Sequence, residues 1–233
     1  MLSVINSSVL KASVEGDRWN RCKIEKKITM NQSHNIFVQE KPDWVSWEEI
    51  REVLWESHAE NRENGIINAF PSLPSDEIRR KVGDNGKMFV AMDGKKVIGT
   101  YAVLIKNDRK WFTSGDYAYE CFCTVLPEYR KTRTYFLLSR TAIDYIRKKG
   151  ISLTTGEAHE NNEKVLKLKF REGYRYVAYK ACTDHYNVVI AKWLNEYPFP
   201  LWYIKLRFLL SKLYLKTRYK MVPGKGRVRR FGI

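Results

Sequence analysis

The sequence predicts an α/β fold. It should be a mixed, mostly antiparallel sheet with a central βαβ unit, flanked by helices and followed by a basic helical tail. Three observations carry that prediction. Two strand-like runs, Met88–Met92 and Lys96–Leu104, are joined by Asp93-Gly94, a strong short hairpin signal. Residues 117–171 read as strand, helix, strand, helix, which implies one parallel strand pair. After Pro198 the chain turns basic and rich in Leu, Tyr and Trp.

The elements follow in order. Residues 1–33 are weakly patterned, with scattered Ser and Asn and a basic stretch at Arg21–Lys27, and are read as an N-terminal extension. A domain is expected over 34–197, opening with a strand at Asn35–Gln39. Trp44–His58 is an amphipathic helix, with Trp47, Ile50, Val53 and Leu54 at helical spacing and Glu and Arg between them. Ser46 followed by Glu49 is a capping box, and Asn64-Gly65 breaks the run. Ser75–Val82 is a short helix. Tyr117–Val125 is a strand. Tyr135–Lys149 is a helix with Leu137, Leu138, Ala142 and Ile146 inward, closed by Gly150. Ile151–Ala158 is a strand, Asn162–Arg171 a helix ended by Gly173, and Tyr174–Ala181 and Val188–Trp193 complete the sheet.

The composition bounds the function. Hydrophobic residues make up 44% of the 233 and aromatics 13%, enough for one sizeable core. The net charge is +16, yet residues 201–233 hold ten Lys/Arg and no acid, leaving +6 for the rest. The four cysteines, Cys22, Cys121, Cys123 and Cys182, have no zinc-ligand spacing, so no metal site is expected. Cys121 and Cys123 lie two apart in a strand and are expected on one face as small buried hydrophobes. Reduced thiols, no signal-peptide pattern and no apolar run of about 18–20 residues fit a cytoplasmic protein.

Glu120-Cys-Phe-Cys-Thr-Val-Leu-Pro-Glu-Tyr-Arg130, the helix after it, and His159-Glu-Asn-Asn-Glu-Lys-Val165 through Gly173-Tyr174 resemble the central unit of the GNAT superfamily of acyl-CoA-dependent N-acyltransferases. The layout resembles the family over about 35–195 and is specific over 120–174. The resemblance implies transfer of an acetyl or other short acyl group from acetyl-CoA to an amine of a small molecule, and the Asn and His residues of Trp44–Pro74 suggest a polar acceptor such as an amino sugar or amino acid. The family's phosphate loop, R/Q-x-x-G-x-G/A, aligns with Arg130-Lys131-Thr132-Arg133-Thr134-Tyr135. Arg133 and Tyr135 stand where glycine and glycine or alanine are usual. Two readings stay open: the cations and backbone amides of 130–135 still hold the phosphates at the helix N-terminus, or Tyr135 blocks the loop and the fold is an inactive binding scaffold.

The resemblance assigns further residues. A backbone N–H near Thr124 or Val125 would stabilise the oxyanion. Asn162 would contact the cofactor, or simply cap its helix. Lys169 stands where the family often has a general-acid Tyr, and would either hydrogen-bond or protonate a leaving thiolate or be a surface residue. Glu120 is the base candidate, with Tyr119 the neighbour a one-residue slip would substitute, and pairing with a Lys or Arg across the sheet is the alternative for Glu120. His58, His159 and Asp184-His185 are secondary. Trp44–Pro74, with Trp55, His58, Asn61 and Asn64, is expected to wall the acceptor site. Residues 198–233 form a basic amphipathic tail. Either it attaches to an acidic membrane or protein surface, or Leu206, Leu209, Leu210 and Leu213 pack on the domain as its last helix. Nucleic acid is not expected, since no recognition motif accompanies the charge.

Overall fold

The computed structural model describes residues 35–66, 72–113, 115–182, 185–222 and 226–229. The extension expected over 1–33 lies outside them. The elements run β1 Ile36–Glu40, α1 Trp47–Ser57, α2 Ala59–Glu63, α3 Ser75–Val82, β2 Gly86–Asp93, β3 Lys96–Lys106, β4 Tyr117–Val125, α4 Thr134–Lys148, β5 Leu153–His159, α5 Glu163–Arg171, β6 Arg175–Ala181, β7 Tyr186–Trp193, α6 Leu201–Arg218, β8 Tyr219–Val222 and β9 Gly226–Arg229.

Local chemistry sets most boundaries. The Ser46 hydroxyl accepts from the Glu49 amide at 3.1 Å and starts α1. Asn162 Oδ1 accepts from the Val165 amide at 3.3 Å and starts α5. Gly150 and Gly173, with φ of 72° and 95°, follow the ends of α4 and α5 in the left-handed region that glycine tolerates. The hairpin turns one residue later than its Asp-Gly pair suggests: Asp93 pairs with Lys96, so Gly94, at φ 61°, and Lys95 form the loop. The expected helix over 44–58 is shorter, and α2 follows it directly from His58.

Seven strands form one sheet in the order β1-β2-β3-β4-β5-β7-β6. Only β4 and β5 pair in parallel; the other contacts within it are antiparallel. β3 is buried at every residue from Val97 to Val103, so both its faces are covered. Helices α1 and α4 both pack against it, one on each face. The largest core cluster joins these layers through Ile50, Leu54, Ile98, Val103, Leu138 and Ile146.

Close approach explains one glycine. A Cβ on Gly86 would sit 2.2 Å from the Val82 carbonyl oxygen and 2.7 Å from Leu104 Cδ2. Gly86→Ala is expected to cost about 1–3 kcal/mol, because α3 must move off β2. Urea unfolding measures this, and an unchanged midpoint would refute the packing argument.

The tail belongs to the same compact unit as the sheet. Helix α6 lies against β6, the edge strand. Ile204 is buried, Phe208 meets Tyr176 at 5.4 Å between ring centroids, and Ser211 Oγ accepts from the Tyr179 amide at 3.0 Å. The helix thus covers an edge that would otherwise present unpaired amides. The four leucines named as its packing residues are not the ones used: Leu206, Leu209, Leu210 and Leu213 face outward.

Candidate functional site

The site begins where the parallel pair comes apart. β4 and β5 pair only at Ala118–Glu120 against Thr154–Gly156. Beyond Glu120, β4 runs on to Val125 and β5 to His159 without pairing to each other, and the gap between them widens into a wedge. β4 also changes register against β3 here. Ala102 pairs with Cys121 and Thr100 with Thr124, so Phe122 and Cys123 together oppose Tyr101. Phe122 adopts φ 52°, a rare conformation for a bulky residue, as a bulge can require. The bulge corrects the expectation that Cys121 and Cys123 share a face. Cys121 lines a cleft with Lys81 and Lys106, whereas Cys123 lies with Lys169, Tyr101 and Glu120. Both thiols are free, and burial pushes the Cys121 thiol up to about 12.

Glu120 and Lys169 meet at the apex of the wedge. Lys169 Nζ donates to Glu120 Oε2 at 2.8 Å and to the Tyr101 hydroxyl at 3.1 Å. Thr154 Oγ1 donates to Glu120 Oε1 at 2.7 Å, and the Tyr174 hydroxyl donates to the same oxygen. The ammonium lies over the Tyr174, Tyr101 and Tyr135 rings at 4.5, 5.3 and 5.6 Å. Glu120 is 4% exposed and Lys169 6%. Burial pushes the Glu120 carboxyl up, but the Lys169 ammonium and the Tyr101 and Tyr174 hydroxyls outweigh it and hold it below the carboxylate range. Burial pulls Lys169 down, but the Glu120 charge outweighs that and holds it well above 10.5. Glu120 is paired, but with Lys169 of helix α5 rather than with a cation across the sheet, and both its carboxylate oxygens are engaged and shielded from solvent.

The loop after β4 explains how it dispenses with glycine. Pro127–Tyr129 form a 3-10 turn. Among the described non-glycine residues only Phe122 has a positive φ, so positions 130–135 all take ordinary backbone conformations. Thr132 Oγ1 accepts from the Thr134 amide at 3.2 Å and shares a hydrogen bond with Thr134 Oγ1 at 2.6 Å, tying down the start of α4. Tyr135 turns inward, and its hydroxyl donates to Glu172 Oε2 at 3.0 Å. Lys131 and Arg133 are exposed and have no acidic partner among the described residues. Arg130 is committed elsewhere. Its guanidinium donates to the Val125 carbonyl at 3.3 Å, to Glu60 Oε2 at 2.8 Å and to the Ser57 carbonyl. Lys164 reaches the other Glu60 oxygen at 2.5 Å, so Glu60 ties the loop to α5. Thr124 Oγ1 donates to Ser57 Oγ at 2.5 Å. His58 Nδ1 sits 2.9 Å from the Leu54 carbonyl oxygen, and burial lowers its pKa below the usual imidazole range.

A cleft of ≈ 540 Å³ opens onto the same strands. Its walls include Tyr119, Cys121 and Phe122 of β4, Thr155 and Glu157 of β5, Lys106 of β3 and the turn after α3. It therefore reaches the point where β4 and β5 part. Glu157 is held by Lys180 at 2.8 and 2.9 Å and by Asn187 at 3.3 Å. Lys106 lies over the Tyr119 ring at 4.7 Å, with no carboxylate partner among the described residues. Trp55, His58, Asn61 and Asn64, expected to wall the acceptor site, do not line this cleft. Trp55 instead stacks with Arg62 at 3.7 Å. His159 stacks on His185 at 4.9 Å, and Asp184 lies outside the described residues. Sequence reasoning missed Glu157 and Lys106. The alternation Thr155, Glu157, His159 on one face of β5 was the available signal for the first.

Among the described residues no cluster of three or more His, Cys, Asp or Glu is placed to hold a metal ion. A model of the acetyltransferase (GNAT) family matches residues 47–170. No curated protein matches the chain. Solved structures do. An acetyltransferase of the GNAT family from Staphylococcus aureus Mu50 is 15% identical with a TM-score of 0.55, over 69% of this chain and 99% of that one. An acetyltransferase from Streptococcus agalactiae 2603 is 15% identical at 0.53, over 68% and 98%. The ribosomal-protein-S18-alanine N-acetyltransferase from Escherichia coli is 14% identical at 0.52, over 69% and 95%. At these identities the likeness concerns the fold.

Proposed function

Because the chain belongs to the acetyltransferase (GNAT) family, we propose that it moves an acetyl or other short acyl group from coenzyme A to the amine of a small molecule. The observation that supports this most is the parting of β4 and β5 above Glu120, with a cleft opening onto the same strands. The residues present fit the cofactor. Lys131 and Arg133 are free to pair with its phosphates, beside the N-terminus of α4, and Arg130 braces the loop rather than contacting them. Thr124, Val125 and Asn162 border the wedge at the end of β4 and the start of α5. Acyl-CoA, when bound, supplies an activated thioester and a thiol leaving group.

Lys169 keeps its proton, since Glu120 holds its pKa well above the ordinary value. It acts as a fixed positive charge at the apex rather than as a proton donor. Glu157 and Tyr119 face the cleft and hold the acceptor's ammonium. Lys106, across the same cleft, pairs with an anionic group. An amine that also carries a carboxylate, as an amino acid does, satisfies both ends, so it is the acceptor class we favour over a neutral amino sugar.

Calorimetry with acetyl-CoA tests the reading, followed by thiol release with amino acids and amino sugars as acceptors. Lys131→Ala and Arg133→Ala are each expected to weaken binding by about 1–3 kcal/mol, and Arg130→Ala by less. One observation favours a second reading: Tyr101, Tyr135, Lys169 and Tyr174 fill the apex. If folded protein shows no acetyl-CoA binding at millimolar ligand, the chain is a family-shaped scaffold and not an enzyme.

A further inference from the structure

We propose that the outward face of helix α6 is a docking surface for an anionic lipid bilayer. Five large apolar side chains stand out from it: Trp202 at 66% exposure, Leu206 at 44%, Leu209 at 58%, Leu210 at 52% and Leu213 at 62%. Their spacing places them along one side of the helix. The fold does not need them, because the inner side already packs on β6 through Ile204, Phe208 and Ser211. A contiguous exposed apolar stripe of this kind marks an interaction surface.

The charge identifies the occupant. Exposed Lys205 and Arg207 flank the stripe on α6, exposed Arg218 ends the helix and exposed Lys220 follows it on β8, and residues 199–233 contain no acid. Leucine and tryptophan entering the interface while Lys and Arg reach the headgroups is the physics of a surface-lying helix. A second copy of the chain fits worse, since a two-fold contact would set these cations against their own equivalents. No helix among the described residues is long and apolar enough to cross a membrane, so the attachment lies on the surface. It is independent of the acyl-transfer reading.

The test is sedimentation of the full chain with phosphatidylserine–phosphatidylcholine vesicles, with pure phosphatidylcholine vesicles as control. At low salt the protein is expected to pellet with the anionic vesicles only, and to be released at high salt. Leu206→Ser/Leu209→Ser/Leu213→Ser should abolish pelleting. Lys205→Glu/Lys220→Glu should lower the partition coefficient at least about tenfold, and it decides the question if the triple variant melts early. Three outcomes overturn the proposal. One is failure of the folded wild type to bind anionic vesicles at low salt. Another is binding unchanged by the folded variants. The last is a dimer in size-exclusion chromatography that the triple variant dissociates while vesicle binding is absent.

Discussion

Lys169→Met is expected to lower the unfolding free energy by about 3–5 kcal/mol at neutral pH, because it strands the Glu120 carboxylate in the apex of the wedge. The two side chains are almost wholly enclosed, and their ion pair is 2.8 Å. Lys169→Met combined with Glu120→Gln should recover most of the loss. No fully enclosed charge then remains, since Glu172, which also pairs with Lys169 at 3.6 Å, keeps some solvent and the Tyr135 hydroxyl, and glutamine can still bond Thr154 and Tyr174. The pH dependence has a definite sign. Glu120 is held below its ordinary 4.5, so its contribution is present above that value and is lost as pH falls through the folded value. Lys169 is held well above its ordinary 10.5, so its contribution is present below 10.5 and is lost as pH rises through the folded value. The pair therefore stabilises the fold fully between about pH 4.5 and 10.5. Urea unfolding of wild type and Lys169→Met should show a gap that narrows as pH falls to 4.5 and below. A gap under 1 kcal/mol at pH 7, or one that widens in acid, would contradict the account.

Much of this architecture is legible in residues. Alternation and helical spacing place nearly every strand and helix, since burying one face enforces the period. Ser46, Asn162, Gly150 and Gly173 punctuate the helices where capping chemistry requires them. Glu120 and Lys169 were both singled out, but their separation of 49 positions hid that they touch. The bulge at Phe122 was illegible for a physical reason. Glu-Cys-Phe-Cys-Thr contains no glycine, and only the β3–β4 register shows that an extra residue must be accommodated. The same bulge separates the two cysteines and redirects one toward the cleft. Helix α6 was hard to orient because its apolar residues surround it. Ile204 and Phe208 differ from Leu206 and Leu209 only in which side β6 happens to occupy. Glu157 was missed because the residues that carry the family resemblance on β5 begin only at His159, two positions on, and a lone strand carboxylate carries no motif.

Glu157→Gln is expected to lower kcat/KM for the acceptor by about 10²–10⁴ while leaving acetyl-CoA affinity unchanged. The argument rests on where the two carboxylates point. Glu120 gives both oxygens to Lys169, Thr154 and Tyr174 inside the protein, and reaching a substrate would mean breaking that network. Glu157 faces a cleft of ≈ 540 Å³ that meets β4 at Cys121 and Phe122, where the strands part. Lys180 engages both of its oxygens and Asn187 one, but the Lys180 head is half exposed, so this pair opens to solvent and can yield to an incoming ammonium beside Tyr119 and Thr155 as the enclosed Glu120–Lys169 pair cannot. An ammonium drawn to Glu157 is therefore carried to the mouth of the wedge, and its proton has an acceptor at the place where the amine must lose it. Glutamine keeps the shape and the Lys180 contact but removes the charge, so the loss should fall on the acceptor and not on the cofactor. Glu120→Gln, compared at a temperature where it remains folded, should reduce stability first. Steady-state kinetics of both variants, with binding of acetyl-CoA measured separately, settles the assignment. Should Glu120→Gln abolish turnover in a protein of wild-type stability while Glu157→Gln turns over normally, the base belongs at the apex of the wedge and the cleft carboxylate has no part in the chemistry.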